Sequence, residues 1–517
     1  MSEASSDGLT RRAFAQLLGA AALTGAVADV VTASSAPVAP HPGAPAPAAG
    51  DELCDLSAVD LAARIRRKQV SAREVMEAHL ARIARVNPRV NAIVTLVPER
   101  AMAAARAADE HQARGGELGP LHGLPVAHKD LVNTAGIRTT YGSPLYKDFV
   151  PTADALIVTR IRAAGAVTLG KTNTPEWGAG SNTFNRVFGA TVNPYNVAKT
   201  VGGSSGGAAC ALTCGMVPIA DGSDTGGSLR NPAAFNNIVG FRPSPGRVTD
   251  DDGSWSPLST AGPMARTVAD VALFLSTISG NHAPDPLALQ DDPAVFRGPL
   301  ARSVQGTRVA LFRNLGGIPF EPEILRVVNA NRQAFVDLGC VVEEAEPDFG
   351  GVDEAFPILR HLSYHASFAA QARANPSQFK DTVKWEIAEA ERTTGADVAR
   401  ALDRQSRMFR EVSQFFTKYD YFVLPVTQVE PFDVTTEYPT SVAGVPMPTY
   451  IDWMRSCWYV TFMACPAISV PAGFSANGLP VGIQIVGRHR GDWSLLQMAH
   501  AFEQATRHGS RRPALVK

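Results

Sequence analysis

Three segments of the chain carry side chains that could activate a nucleophile. Lys129 follows an apolar run, Ser204 lies in the glycine loop 202–207, and Ser228 ends a second glycine-rich loop that begins at Gly222. A serine hydroxyl is a weak nucleophile until a base takes its proton, and a lysine serves as that base only when it is neutral. These residue types therefore predict acyl transfer to a serine with a lysine as base.

The second glycine loop also offers groups that could stabilise a negative charge. Clustered glycines are costly inside a helix or strand and are usual where the backbone approaches a ligand closely. The N–H groups of Thr225, Gly226 and Gly227 precede Ser228 and could converge on a developing oxyanion. The apolar residues on both sides of Lys129 predict that burial lowers the pKa of this lysine.

Longer stretches around these residues resemble the amidase signature family of serine hydrolases. The resemblance is carried by residues 202–248 and by three further segments, 171–177, 188–194 and 479–484. The spacings from Lys129 to Ser204 and from Ser204 to Ser228 are usual in this family. The resemblance extends over residues 51–517, which it implies to be one amidase domain.

The family triad implies a role for each of the three residues. Ser228 would attack the amide carbonyl, Ser204, on a cis peptide bond, would relay the proton, and Lys129 would be the base. The N–H groups of Thr225, Gly226, Gly227 and Ser228 would form the oxyanion hole. The resemblance implies no metal and no organic cofactor. Three neighbouring residues would support the site, the accessory hydroxyl of Ser205 and the loop-orienting side chains of Asp224 and Arg230.

A different nucleophile is an alternative interpretation of the first glycine loop. Residues 203–207 fit the G-x-S-x-G turn of α/β-hydrolases, in which Ser205 would attack with a histidine as base, giving an esterase. The candidate bases are His282, His361, His365, His489, His500 and His508. This interpretation leaves Lys129 and the loop around Ser228 without a role.

Two further interpretations keep the fold and change the function. A glutaminase subunit of an amidotransferase shares the triad but works in the cytoplasm with a partner protein. An inactive binding protein of the same fold is disfavoured because all three triad positions are intact.

Residues 165–172 also satisfy the phosphate-binding pattern G-x-x-x-x-G-K-[ST]. The predicted order there is helix then strand, however, which is the reverse of a P-loop.

The composition of the chain indicates which classes of partner it binds. The 517-residue chain has a formal net charge of −1 and no basic tract, so nothing favours a nucleic acid or an anionic membrane. The expected substrate is a small neutral or weakly charged amide, and the family allows a homodimer. The six cysteines show no metal-binding spacing and are expected to fill the core.

The N-terminal residues form a separate segment. Arg11 and Arg12 precede the mildly apolar run 17–31, which resembles a twin-arginine export signal with a cleavage site near residues 26–28 or 32–33. We therefore predict a signal over 1–33, an Ala- and Pro-rich linker over 34–50, and export to the periplasm or medium. An uncleaved signal would instead hold the protein at the membrane, although the run is weak for a spanning helix.

Beyond the linker, short β-rich runs alternate with helices, which predicts an α/β fold. The predicted strands are 92–96, 126–129, 167–170, 219–221, 308–312, 421–426, 467–470 and 481–486. Helical spacing predicts helices within 56–85, with Ser71 as the N-cap of the second. The family fold implied is one large α/β/α domain with a mixed twisted sheet of about eleven strands.

Residues 350–450 interrupt this alternation and are expected to cover the active site. The segment is helical and then Pro-rich, with scattered aromatic side chains. Such a region shapes specificity in the family, so aromatic residues in and near it are candidates for the substrate pocket. These candidates are Tyr141, Trp177, Tyr364, Trp385, Tyr450 and Trp453.

Overall fold

The computed structural model describes residues 50–249, 251 and 253–516. The predicted signal, residues 1–33, and the predicted linker up to residue 49 lie outside the described residues. The described part of the chain belongs to a single compact unit. No helix in this part is long and apolar enough to cross a membrane.

A mixed sheet of eleven strands forms the centre of the described structure. The strands in chain order are β1 Ile93–Leu96, β2 Pro125–Lys129, β3 Val167–Thr172, β4 Ile219–Asp224, β5 Val239–Arg242, β6 Thr260–Ala265, β7 Arg308–Leu311, β8 Val341–Glu344, β9 Tyr421–Pro425, β10 Ala467–Phe474 and β11 Pro480–Gly487. Their spatial order is β1-β3-β2-β4-β6-β5-β10-β11-β9-β7-β8. Strands β3, β2 and β4 are mutually parallel, as are β9, β7 and β8, while the remaining pairs are antiparallel.

Fourteen α-helices connect and cover these strands in the described residues. They are α1 Ala58–Arg66, α2 Ala72–Val90, α3 Pro98–Ala113, α4 Leu156–Ala163, α5 Gly206–Thr213, α6 Arg230–Phe235, α7 Val268–Ile278, α8 Pro322–Ala330, α9 Arg332–Asp337, α10 Val352–Ala374, α11 Asp381–Arg392, α12 Gly395–Lys418, α13 Arg455–Phe462 and α14 Asp492–Thr506. Ser71 caps α2 as predicted, since its hydroxyl accepts the N–H of Glu74 and the Glu74 carboxylate accepts the N–H of Ser71.

The sheet is buried on both faces, which explains its apolar strands. Successive side chains of a strand point to opposite faces. Val126 and Ile219 belong to one hydrophobic cluster, together with residues of α7 and α14. Their neighbours Ala127 and Ala220 belong to a second cluster, together with residues of α2 and α5. The architecture is therefore the α/β/α arrangement predicted from the sequence.

Every strand predicted from the sequence is present, and β5, β6 and β8 are strands that the sequence analysis missed. Strand β6 contains Gly262 and Pro263, residues that are depleted in strands, yet it pairs with β4 along its whole length. Strand β8 lies at the edge of the sheet, is half exposed and carries two glutamates. In each case tertiary pairing outweighs local preference.

The phosphate-binding pattern at residues 165–172 has a structural explanation. Helix α4 precedes β3, so the order is helix then strand, as predicted. Lys171 lies on β3 and is completely buried. Its ammonium donates hydrogen bonds to Thr134 Oγ1 at 2.9 Å and Thr139 Oγ1 at 3.0 Å. This lysine holds the segment that follows β2 and faces no phosphate site.

Residues 352–418 form three helices, α10 to α12, which confirms the helical interruption predicted there. The apolar side of α10 and α11 packs on Ala179 and Trp177 in a small separate cluster. The carboxylate of Glu176 accepts the backbone N–H of Lys380, just before α11, at 3.0 Å. Helices α10 and α11 are thus attached to the loop that contains Trp177. All six cysteines are buried free thiols, in agreement with the prediction that they fill the core.

Candidate active site

Lys129 is the last residue of β2 and is completely buried. Strand β4 runs parallel to β2, with Ala127 opposite Ala220, so the carboxyl ends of both strands lie at the same edge of the sheet. The backbone N–H of Lys129 donates to Asp221 Oδ1 at 2.8 Å. His128 Nδ1 lies 2.5 Å from the other oxygen of Asp221. These contacts fix the backbone from which the lysine side chain projects.

Three serine hydroxyls surround the amine of Lys129. Its Nζ lies 2.7 Å from Ser204 Oγ, 2.9 Å from Ser205 Oγ and 3.1 Å from Ser223 Oγ. Burial lowers the pKa of Lys129 to about 7, although the negative charges of Asp221 and Asp224 oppose the change. A substantial fraction of this lysine is therefore neutral near pH 7, as a general base requires.

The first glycine loop is packed tightly and is not a flexible linker. The peptide bond between Gly203 and Ser204 is cis, and the Gly203 carbonyl accepts the Ser181 hydroxyl at 2.6 Å. A Cβ at Gly206 would lie 2.3 Å from Thr183 Oγ1, and a Cβ at Gly207 would lie 2.3 Å from Asn173 N. Glycine is needed here because neighbouring chain segments leave no room for a side chain.

The second glycine loop is fixed by a buried charge network. The carboxylate of Asp224 accepts the N–H groups of Gly227 at 3.0 Å and Leu229 at 3.2 Å. Arg230 binds both oxygens of the same carboxylate, at 3.0 and 2.9 Å. Burial raises the pKa of Asp224, but Arg230 and Arg242 outweigh this effect and hold it below its usual value. Asp224 and Arg230 therefore hold the backbone of the loop that ends at Ser228.

The hydrogen bond from Gly227 alters the predicted oxyanion hole. Because its N–H already donates to Asp224, Gly227 has no free donor for a substrate oxygen. Within the described residues, no acceptor is found for the N–H groups of Thr225, Gly226 and Ser228. A Cβ at Gly226 would meet no atom within 4 Å. The loop thus presents up to three open donors beside the serine.

Ser228 lies at the end of this loop, and its side chain is partly exposed. Its carbonyl oxygen accepts the backbone N–H of Ser205 at 3.3 Å. That contact joins the two glycine loops, so the segment bearing Ser228 is tied to the segment bearing Ser204. The backbone of Ser228 therefore lies against Ser205, next to the serine whose hydroxyl contacts the buried Lys129, and Ser228 is partly exposed.

Two of the predicted pocket residues lie beside this site. Trp177 is stacked on Tyr141 with ring centroids 5.0 Å apart, and the next residue, Gly178, borders Ser204. A Cβ at Gly178 would lie 3.4 Å from Ser204 Oγ. Tyr141 lines a cavity of about 600 Å³ whose wall also includes Ser223. Tyr141 therefore borders the cavity that Ser223 lines, whereas the ring of Trp177 packs against Tyr141, Tyr146, Phe368 and Phe379.

The other predicted pocket residues are occupied by packing. Trp453 is 1% exposed, with its ring between Phe235 and Phe432. Tyr450 is 3% exposed, and its hydroxyl contacts Arg360 at 2.7 Å. The remaining two aromatic residues are partly exposed and contact the same network, Tyr364 at Arg360 and Trp385 at His361 and Tyr450. Aromatic type alone did not separate core packing from a pocket.

The contacts of Ser205 argue against the alternative nucleophile. Its hydroxyl contacts Lys129, and in the described residues it contacts no histidine. Three of the candidate bases are hydrogen-bonded elsewhere, His361 to Glu386, His489 to the Ala464 carbonyl and His508 to Asn331. The pair of His128 and Asp221 also has no serine partner, because His128 Nε2 contacts Thr168 Oγ1 at 3.0 Å.

Ser223, like Asp221, is a site residue that the sequence analysis did not identify. It lies on β4, whose register with β2 brings it to Lys129, and no local pattern marks it among the other serines of the loop. The described residues contain no group of three or more His, Cys, Asp or Glu side chains that could hold a metal ion.

Comparison with known proteins agrees with this geometry. Residues 74–496 match the family model described as Amidase. The chain belongs to the amidase family. An acylamidase of Rhodococcus erythropolis is 36% identical over 475 residues, which cover 89% of this chain and 97% of that protein. A glutamyl-tRNA(Gln) amidotransferase subunit of Moorella thermoacetica is 35% identical over 497 residues, covering 90% and 99%.

A solved structure leads to the same conclusion. The structure of a bacterial aryl acylamidase of the amidase signature enzymes superposes with a TM-score of 0.83 at 28% identity, covering 88% of this chain and 98% of that chain. The protein is an amidase signature enzyme, a serine amidohydrolase, and the α/β-hydrolase alternative is not favoured.

Proposed function

We propose that this amidase hydrolyses a carboxylic amide through an acyl-enzyme on Ser228. The observation that carries the proposal is the 2.7 Å contact between Lys129 Nζ and Ser204 Oγ, made by a lysine that is completely buried. A buried amine with a pKa of about 7 can accept a proton from a hydroxyl chain at neutral pH. Ser204 is the hydroxyl nearest this amine, and the next residue, Ser205, donates its backbone N–H to the Ser228 carbonyl.

The proposed first half-reaction is acylation. Ser228 Oγ attacks the amide carbonyl, its proton passes to Ser204, and the Ser204 proton passes to Lys129. The N–H groups of Thr225, Gly226 and Ser228 stabilise the oxyanion of the tetrahedral intermediate. When the C–N bond breaks, Lys129 returns the proton through Ser204 to the leaving amine. The amine departs neutral, and Ser228 remains as an ester.

The second half-reaction uses the same groups in reverse. Water attacks the ester carbonyl and gives its proton through Ser204 to Lys129. Collapse of the intermediate releases the carboxylic acid, and the proton returns to Ser228 Oγ. No proton is gained or lost by the enzyme over the cycle, so no metal or cofactor is needed to balance it.

The proposed substrate is a small-molecule amide, and we propose that the enzyme acts without a partner protein. Relatives do not decide this point, because the acylamidase, with 36% identity, and the amidotransferase protein, with 35%, are equally similar. Support comes from residues 1–33, whose paired arginines and apolar run fit export of a folded protein. A component of an amidotransferase would have no reason to leave the cytoplasm. A homodimer is compatible with this proposal.

The function is tested with a panel of amides in which the acyl and amine halves vary independently. We expect release of amine by the purified chain and no release by Ser228→Ala. Hydrolysis of glutamine alone, with co-purification of a second protein, would restore the amidotransferase alternative.

Fractionation of cells producing the full chain tests export, with the double variant Arg11→Lys plus Arg12→Lys as the matched control. Retention of both forms in the cytoplasm would contradict export.

A further inference from the structure

Ser223 is a third hydroxyl at the proposed base, and the mechanism above gives it no role. Its Oγ lies 3.1 Å from Lys129 Nζ, beside the shorter contacts of Ser204 and Ser205. Ser204 is 3% exposed and Ser205 is completely buried, whereas Ser223 is partly exposed. Among these three serines, in the described part of the chain, Ser223 alone lines the cavity of about 600 Å³.

The hydrogen-bonding capacity of a neutral amine decides what each serine must do. A neutral lysine amine has two N–H donors and one lone pair, while the ammonium form has three donors and no lone pair. To act as a base through Ser204, the amine must direct its lone pair at the Ser204 hydroxyl. The two N–H groups must then point elsewhere, and among the described residues the two acceptors within reach are Ser205 and Ser223.

The surroundings of these two acceptors fit that requirement. Ser205 Oγ can donate its own hydrogen to the Ser223 carbonyl, 3.5 Å away, and so accept from Lys129. Ser223 Oγ faces the cavity, where its hydrogen can bond to water. If Ser223 were absent, one N–H of the amine would lose its acceptor and the amine could rotate its lone pair away from Ser204.

We propose that Ser223 is a positioning residue, which accepts one N–H of neutral Lys129 and thereby directs the lysine lone pair at Ser204. The inference rests on the proposed function, because it requires Lys129 to act as a base toward Ser228. Ser223 does not touch the reacting atoms. It acts through the orientation of Lys129 and through the relative stability of the charged and neutral amine.

A positioning role of Ser223 affects the pH dependence of nucleophile activation, which a simple loss of packing would not. Removing the Ser223 hydroxyl takes one of three acceptors from the ammonium form, so the charged form is disfavoured and the pKa of Lys129 falls further. The charged groups that face Lys129 are Asp221 and Asp224, and the neutral side chains beside it are the three serines. The substitutions leave both aspartates in place.

The experiment measures how fast a phosphonyl fluoride labels Ser228 at pH values from 5 to 10. Labelling reports nucleophile activation directly and needs no knowledge of the substrate. We compare wild type with Ser223→Ala, Ser223→Thr and Ser259→Ala. Threonine keeps the hydroxyl, and Ser259 is exposed and lines the same cavity without contacting Lys129. Thermal unfolding of each variant verifies that it is folded.

We expect Ser223→Ala to lower the plateau rate by roughly three- to ten-fold, the effect of about one hydrogen bond. Its acidic midpoint should move to lower pH, Ser223→Thr should restore both values, and Ser259→Ala should match wild type. A folded Ser223→Ala with the wild-type midpoint and rate would overturn the proposal. So would Ser223→Thr behaving like Ser223→Ala. If Ser223→Ala does not fold, Ser223→Thr at the wild-type rate and midpoint supports the proposal, and a lower rate overturns it.

Failure of the underlying function is distinguishable. Wild type that is not labelled at Ser228, or Lys129→Ala that is labelled at the wild-type rate, would reject the lysine mechanism itself and the role of Ser223 with it.

Discussion

The guanidinium of Arg230 binds both carboxylate oxygens of Asp224, at 3.0 and 2.9 Å, and both side chains are completely buried. The remaining donors of Arg230 reach the Cys457 carbonyl, Gln484 and Thr461. The same carboxylate accepts the N–H of Gly227. The geometry of the loop before Ser228 therefore depends on one buried ion pair whose hydrogen bonds are satisfied by several distant segments.

We expect Asp224→Asn to destabilise the protein by about 3–5 kcal/mol, because it leaves the charges of Arg230 and Arg242 buried without compensation. Urea unfolding measures the loss. Asp403→Asn is the matched control, since Asp403 pairs with Arg407 on the exposed side of α12, and its loss should cost less than about 1 kcal/mol. Equal effects of both substitutions would show that the buried pair does not hold the loop.

The three triad residues should contribute to acylation as one unit. Ser228→Ala or Lys129→Ala should each lower the acylation rate by several orders of magnitude, and Ser204→Ala nearly as much. The effects should be far from additive because the three residues act as one unit. Single-turnover kinetics of the single and double variants measure this.

Histidine substitutions provide the contrast for the triad. His489→Ala and His365→Ala should retain most activity, because neither ring reaches a serine in the described residues. Loss of activity in either variant, with Lys129→Ala still active, would contradict the lysine mechanism.

The limits of sequence analysis are clearest at the two glycine loops. The strands β2 and β4 and the close backbone approaches at the glycine loops were predictable, because apolar runs mark buried strands and clustered glycines mark tight packing. The engagement of the Gly227 N–H was not predicted, since it depends on the Asp224 side chain folding back on its own loop. Ser223 was missed because only the register between β2 and β4 brings it to Lys129.

The aromatic pocket candidates show a second limit of sequence analysis, because residues expected to line a pocket pack in the core. Tyr141 lines the cavity next to Ser223, whereas Trp453 and Tyr450 are buried. Contacts distant in sequence bury the latter two, Trp453 against Phe235 and Phe432 and Tyr450 against Arg360. Residue type alone does not reveal such contacts.

Activity should depend on pH through Lys129. Burial lowers its pKa to about 7, and only the neutral form accepts a proton from Ser204. We therefore expect kcat/KM to rise with pH and to reach half its plateau near pH 7. Steady-state rates from pH 5 to 9 with one amide measure the midpoint. A rate that is independent of pH across this range would mean that no group with this pKa limits acylation.

The same pKa predicts how stability changes with pH. The unfolded lysine has a pKa of 10.5 and the folded lysine about 7, so between these values the unfolded state binds more protons than the folded state. Stability of the wild type therefore rises with pH across this window.

Lys129→Met removes the titrating group and keeps a similar volume. From pH 7 to 9.5, the wild type should gain about 3 kcal/mol relative to this variant, at about 1.36 kcal/mol per pKa unit and as an upper bound. The variant should be inactive and at least as stable as the wild type at pH 7, with its advantage shrinking toward pH 10. Urea unfolding of both proteins at the two pH values measures the change. A variant clearly less stable at pH 7, by an amount that does not depend on pH, would identify Lys129 as a charged structural residue instead of a buried base.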